Sequence, residues 1–363
     1  MPKPVPQSES SAAEPWNSSL GRPLDSVRAQ ILPANTIHGY WYRGGNTLAE
    51  WRGLPFAGFD APEEWLGSTV SRFGIPGAGP SLLADGRLVV DAITDDPTAW
   101  MGTSDGQPGD SGMLVKLLDA GQRLPVHVHP TREFAVTHLD CPYGKTEAWY
   151  VLETQGDAAV WIGWREDVDP AVLNDLIDSQ DAESMLALMN RIPVKPGDGI
   201  LVPGGTPHAI GAGVFLLEVQ EPVDQSVLME HVNTSTTEEQ RFIGLERSLA
   251  LSALNMVALP DPDSLCRTVP SDAVGLRAVL PPEADPFFLM HQVTAGGAVP
   301  AAFAVGIVLD GEGELVPENG DPLPLVPRQP FIVPAAAGSW HVTGKVRLIV
   351  CRPGTSWPPR LVA

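Results

Sequence analysis

Gly197-Asp198-Gly199-Ile200-Leu201-Val202-Pro203-Gly204-Gly205-Thr206-Pro207-His208 reads as a short apolar strand that runs into a glycine and proline corner and ends on a histidine. Glycine and proline make a tight turn that aims the side chain after it inward. Upstream, Leu124-Pro125-Val126-His127-Val128-His129-Pro130 alternates like a strand. Residues two apart on a strand point to one face, so both imidazoles are expected to project together. Between these stretches lies Gly144-Lys145-Thr146-Glu147-Ala148-Trp149-Tyr150-Val151-Leu152, an apolar and aromatic strand carrying one carboxylate. His127, His129, Glu147 and His208 together offer three nitrogens and one oxygen, a set that suits Zn²⁺ or another divalent first-row metal, one ion per chain. A lone histidine is more often a hydrogen-bonded core or surface imidazole. Three of the chain's eight histidines at matched spacings weigh against that reading for the set.

Further β segments are expected at Met113–Leu118, Ala158–Trp164, Gly199–Pro203 and Val214–Gln220. Between Tyr40 and Ile93, apolar runs broken by glycine and proline suggest loops and short strands. One helical insertion interrupts the pattern at about 169–191. Asp169-Pro170 is a cap and first-turn pair, and Val172, Leu173, Leu176 and Ile177, then Met185, Leu186, Leu188 and Met189, repeat at helical spacing. That stripe reads as core packing. Another helix is expected across Glu239 to Val257, bridging two β units. From about Ala273 the β pattern returns, with segments at Phe287–Val293, Phe303–Leu309, Gly313–Leu315, Gln329–Pro334 and Val346–Cys351. Residues 1 to about 30, rich in proline, serine and glutamate, look like a flexible arm.

Composition bounds the partners. With 23 basic against 44 acidic residues the formal net charge is −21, which argues against nucleic acid or an anionic membrane surface as a partner. The three cysteines, Cys141, Cys266 and Cys351, are far apart and odd in number, which suits a reducing compartment. No apolar run is long enough to cross a bilayer, and the start lacks the apolar core of a signal peptide, so a cytoplasmic location is expected.

The spacing from Gly197 to His208 fits the second signature of the cupin barrels: a glycine, five residues, Pro-x-Gly, two residues and the metal histidine. Phe331-Ile-Val-Pro334 and the residues after it align with Leu201 to His208 but put Ser339 near the histidine's place, so a second barrel is expected to have lost its metal. His291 and His341 lack partner ligands and read as structural. The expected fold is mainly β: two cupin (jelly-roll) barrels with a small helical insertion and a bridging helix. The arm would span 1–30, the metal-binding barrel 31–245, and the bridging helix and degenerate second barrel 246–363.

Tyr42-Arg-Gly-Gly-Asn-Thr-Leu48, Glu63-Glu-Trp-Leu-Gly-Ser68, His129-Pro130, Gly144-Lys-Thr-Glu-Ala-Trp-Tyr150, Val194-Lys-Pro-Gly-Asp198, Pro203-Gly-Gly-Thr-Pro-His-Ala-Ile-Gly211 and Leu217-Glu218 together resemble the class I mannose-6-phosphate isomerases, short bacterial form. These are zinc-dependent aldose–ketose isomerases of the cupin superfamily. The resemblance implies that His129, Glu147 and His208 are metal ligands, and that Lys145 and Glu218 line the substrate pocket. Two positions depart from the family pattern. His127 stands where the family has a metal-binding glutamine, next to Pro125 in place of a serine. Ten residues after Glu218 the family carries an arginine, and this chain has Leu228.

Since an arginine holds a phosphate through charge-assisted hydrogen bonds that leucine cannot make, an altered sugar specificity is expected unless another base such as Arg132 or Arg241 reaches the pocket. Aldose–ketose interconversion moves a proton between C1 and C2, for which Glu218 is the candidate base and Lys145 the candidate oxyanion stabiliser. Lys145 could instead be a solvated lysine beside a turn, and Glu218 a buried structural carboxylate. Competing classes are a cupin oxygenase using iron at the same four ligands, and a non-catalytic sugar-binding regulatory cupin. The expected partner is a small sugar or sugar phosphate.

Overall fold

The strands Leu114–Asp119, Glu147–Thr154, Asp198–Val202 and Val214–Gln220 are buried at nearly every residue, on both faces, and such strands need an apolar layer above and below. In the computed structural model, which describes residues 27–359, two other sheets supply those layers. The four strands form the centre of a seven-stranded antiparallel sheet, flanked by Cys266–Thr268 on one edge and by Glu63–Leu66 and Thr36–Ile37 on the other. Its inner face, with Leu118, Trp149, Ile200 and Leu216, packs on Val160, Ile162 and Ile210 of a five-stranded sheet. That second sheet runs in the order Val227–Leu228, His127–Val128, His208–Ile210, Ala159–Trp164 and Met189–Pro193.

The outer face of the seven-stranded sheet, with Leu117, Tyr150, Leu201, Phe215 and Leu217, meets Phe288, Met290, Val305, Ile307 and Ile349 of a six-stranded sheet in one continuous core. This third sheet is ordered Gln30–Ile31, Pro330–Val333, Ala304–Asp310, Arg347–Pro353, Phe288–Thr294 and Leu276–Ala278. Its other face packs against a four-stranded sheet that includes Gly313–Pro317 and Trp340–Gly344. The architecture is mainly β, as the alternating pattern predicts.

Chain segments cross between the halves. Gln30 and Ile31 pair with Ile332 and Phe331 of the C-terminal half, while Cys266–Thr268 joins the edge of the N-terminal seven-stranded sheet. Most of the arm expected over 1–30 lies outside the described residues.

The helical insertion forms as Pro170–Ser179 and Ala182–Ala187, capped by the side chains of Asp169 and Asp181. It ends sooner than periodicity predicts. Met189, counted with the helical stripe, is buried as the first residue of the strand Met189–Pro193. The bridging helix is a correction. Glu239 to Val257 holds two short helices, Glu238–Arg241 and Arg247–Leu251, separated by Gly244 at φ +76°. Neither bridges the halves, because Ala250 and Leu254 pack on Leu173, Ile177 and Met185 of the insertion. Between Tyr40 and Ile93 the loops contain a helix, Thr47–Arg52, and lead into another, Val89–Asp95. A further helix, Arg132–His138, directly follows the His129-Pro130 corner and is capped by the Thr131 hydroxyl. The predicted strand over 124–130 is hydrogen-bonded as a strand only at His127–Val128.

Candidate active site

His208 opens its strand and pairs directly with His127 across the five-stranded sheet. The two ring centroids are 4.1 Å apart, with His129 at 5.0 Å from His127 and 4.8 Å from His208. The glycine corners bring the third imidazole in. Gly205 N–H donates to the His129 carbonyl at 2.7 Å, and Lys145 N–H donates to the Pro130 carbonyl at 2.8 Å. A Cβ at Gly144 would lie 2.6 Å from the Pro130 carbonyl oxygen, and one at Gly204 would lie 2.8 Å from it. Three backbone segments therefore close on Pro130 only because two of them lack a side chain.

Each histidine Nδ1 faces a backbone carbonyl: Pro125 at 2.7 Å from His127, Gln225 at 2.9 Å from His129 and Thr206 at 2.8 Å from His208. A carbonyl only accepts, so Nδ1 carries the proton and Nε2 presents a lone pair. Glu147 Oε2 lies 2.9 Å from His129 Nε2 and its Oε1 lies 3.3 Å from His208 Nε2. At these separations an imidazolium would make an ion pair, yet the chemistry opposes one. Burial, and next the charge of Lys145, lower His129 to about 3. Burial and the neighbouring imidazoles hold His127 well below its ordinary value. Burial works against the charge of Glu147 too, but the Lys145 ammonium beside it favours the carboxylate and its pKa lies well below the usual range.

The result is a carboxylate facing lone pairs, with the Nε2 atoms of His129 and His208 buried and without a donor. A cation between them satisfies such a group. His127, His129 and His208 each offer a ligand atom within 4.8 Å of the others, and Glu147 closes the set. The donors fit a divalent metal.

Below this cluster, on the inner face of the seven-stranded sheet, stand Glu63, Lys116 and Glu218. Glu218 pairs in register with Lys116 on one side and Trp149 on the other, so it shares the face of Glu147. Lys116 Nζ lies 3.3 Å from Glu218 and 3.4 Å from Glu63. Burial pushes the ammonium down, but the two carboxylates outweigh it and hold Lys116 well above its ordinary value. Glu63 also accepts from Tyr42 Oη at 2.6 Å and Trp65 Nε1 at 2.7 Å. Glu218 is less well served. The contact with Lys116 lacks hydrogen-bond alignment and leaves Oε1 without a donor, and burial together with the charge of Glu147 raises its proton affinity. Lys145 is buried, with Nζ 3.6 Å from Glu147 Oε2. It stands just before the strand rather than on it.

Sequence reasoning missed Lys116, Glu63 and Tyr42. The signal was present in Met113-Leu-Val-Lys116-Leu-Leu118, where a charge sits in the middle of an apolar run, a placement that requires partners. Leu228 is buried and pairs in register with His127. Arg132 and Arg241, the two bases weighed as substitutes for an arginine at position 228, are engaged elsewhere. Arg132 donates to Glu221 at 2.5 Å and stacks on Phe287, and Arg241 is buried beside Glu238 at 3.4 Å. Both are held by local partners. Ser339 donates to Glu318 at 3.0 Å, and among the described residues neither His291 nor His341 joins a group of side chains that could hold a metal.

Two facing sheets with three inward histidines and a glutamate at the strand ends define a metal-binding cupin. The solved mannose 6-phosphate isomerase of Bacillus subtilis has this fold: it superposes with a TM-score of 0.68 at 23% identity, over 90% of this chain and 99% of that one. GmuF of Bacillus subtilis, a probable mannose-6-phosphate isomerase, is 28% identical over 283 residues, 76% of this chain and 86% of its own. The mannose-6-phosphate isomerase of Streptococcus mutans is 29% identical over 65% of this chain and 72% of its own. No family model matches the sequence. In sequence over most of its length, and in fold, the chain is similar to mannose-6-phosphate isomerases.

Proposed function

We infer that this protein is a metal-dependent aldose–ketose isomerase acting on a sugar phosphate of the mannose 6-phosphate kind, in the cytoplasm, with zinc as its metal. The observation that carries the reading is the buried Glu147 carboxylate facing two undonated imidazole nitrogens, with a second underserved carboxylate, Glu218, on the same face. His127, His129, Glu147 and His208 would hold the ion. When bound, it supplies Lewis acidity toward the sugar carbonyl and orients its hydroxyls.

The chain's own groups would carry the proton. Glu218, with its proton affinity raised by burial and its Oε1 undonated, is suited to take the proton from one carbon and return it to the other. Lys116 would position that carboxylate and compensate its charge when deprotonated. Lys145, buried beside Glu147, can donate to the oxygen on which charge develops. The low exposure of all four groups keeps water from competing for the proton.

Solvent deuterium tests the reading. Zinc-loaded protein in D₂O should incorporate label at C2 of mannose 6-phosphate or C1 of fructose 6-phosphate, and lose that activity on chelation. Oxygen uptake with iron would favour the oxygenase, and sugar binding without label would favour the non-catalytic binder.

A further inference from the structure

We propose that Arg72 is the residue that recognises the anionic group of the substrate, in place of an arginine at position 228; this rests on the sugar phosphate reading above. A cavity of about 120 Å³ opens beside the metal cluster, lined by Trp41, Arg72, Asp224, Ser226 and Leu228 among others. Two of its walls touch the metal site. Leu228 is the register partner of His127, and the Trp41 ring lies 6.1 Å from the His127 ring. Leu228 removes a guanidinium from one wall, and Arg72 brings one to another.

The cation is held ready. Its guanidinium sits over the Tyr40 ring at 4.7 Å and donates from Nη1 to the His38 carbonyl at 2.8 Å. No carboxylate lies within ion-pair distance of it among the described residues, in contrast to Arg123, Arg132 and Arg241, each paired with a glutamate. Among the described residues, Nε and Nη2 have no protein acceptor, which leaves donors for two oxygens of a phosphate. The one acid of this wall, Asp224, is occupied: it accepts from Phe73 N–H at 3.0 Å and from Tyr40 Oη at 3.3 Å. The cavity's volume suits a phosphoryl group rather than a whole sugar, whose ring would lie toward the histidines. Arg72 is thus a specificity residue and takes no part in proton transfer.

The test uses the full chain with zinc and two ligands that cannot isomerise, glucitol 6-phosphate and glucitol, measured by titration calorimetry. Arg72→Ala should weaken glucitol 6-phosphate by about ten- to a hundred-fold, the scale of one lost charged hydrogen-bonding group. Its loss for glucitol should be at least ten-fold smaller. Arg72→Lys, which keeps the charge but not the fork, should fall between. Leu228→Arg in the Arg72→Ala background should regain phosphate affinity. Zinc content and the far-ultraviolet spectrum report whether each variant is folded. Equal affinity of wild type and Arg72→Ala for glucitol 6-phosphate, or equal losses for both ligands, would overturn the assignment. A wild type that binds glucitol 6-phosphate through Arg72 but incorporates no deuterium into any aldose phosphate would uphold Arg72 and sink the isomerase reading instead.

Discussion

The chemistry of this site turns on which nitrogen of each histidine holds its proton. Three backbone carbonyls fix Nδ1–H, so the Nε2 lone pairs converge on a carboxylate that cannot donate to them. Removing an imidazole should therefore remove the metal and not only activity. His208→Ala should drop bound zinc from about one per chain to a small fraction after dialysis, read by elemental analysis; stoichiometric zinc in that variant would refute the ligand set. Lys116 answers to a different balance. Lys116→Met leaves Glu63 and Glu218 buried without their shared cation, at an expected cost of about 3–5 kcal/mol in urea unfolding. A change under about 1 kcal/mol would mean that the carboxylates have another partner. The converging histidines were legible in the sequence because strand alternation and the glycine and proline corners place them within a few residues of one another's faces. Lys116 was not, since its role depends on Glu218 lying opposite it, 102 positions further along the chain.

At the scale of the element, the corner around Pro130 is the vulnerable part. The Cβ of Gly144→Ala would press on the Arg132 amide at 2.5 Å and the Pro130 carbonyl at 2.6 Å, both backbone atoms that cannot swing away. Zinc affinity should fall about ten-fold or more as His129 and Glu147 are pushed apart, measured by competition with a chromophoric chelator. Unchanged affinity would show that the corner has slack. In the C-terminal half, His291 lies on the strand Phe288–Thr294 with Nδ1 unpartnered. Burial, then Arg352 and Arg267, lower it to about 4. Because the unfolded histidine titrates near 6.5, its neutral form stabilises the fold above that pH, and the contribution is lost as pH falls from about 6.5 toward 4. His291→Gln should flatten the pH dependence of the thermal midpoint across that window; an unaltered slope would assign the titration elsewhere.

The whole molecule is joined by the core between the seven- and six-stranded sheets. Ile349 is fully buried there, and Ile349→Ala should cost about 2–5 kcal/mol. Because Phe215, Leu217 and Ile307 share that core, and Gln30–Ile31 and Cys266–Thr268 cross between the halves, both halves should unfold in one transition. Tryptophan fluorescence and circular dichroism that separate into two midpoints would contradict this. Among the described residues, no helix is long and apolar enough to cross a membrane.

The sequence by itself determined the strand pattern, the helical insertion with its aspartate caps, and the convergence of His127, His129, Glu147 and His208, because each follows from period, turn chemistry or spacing over short stretches of chain. It misjudged the segment from Glu239 to Val257, where leucines at helical spacing suggested one long helix but Gly244 and packing against the insertion set the conformation. Only the tertiary structure decided the partners of the buried charges, the strand exchange between the halves, and the placing of Arg72 in one cavity with Leu228. Those depend on contacts between residues far apart in the chain, whose free energy is gained only once both faces of the sheets are covered.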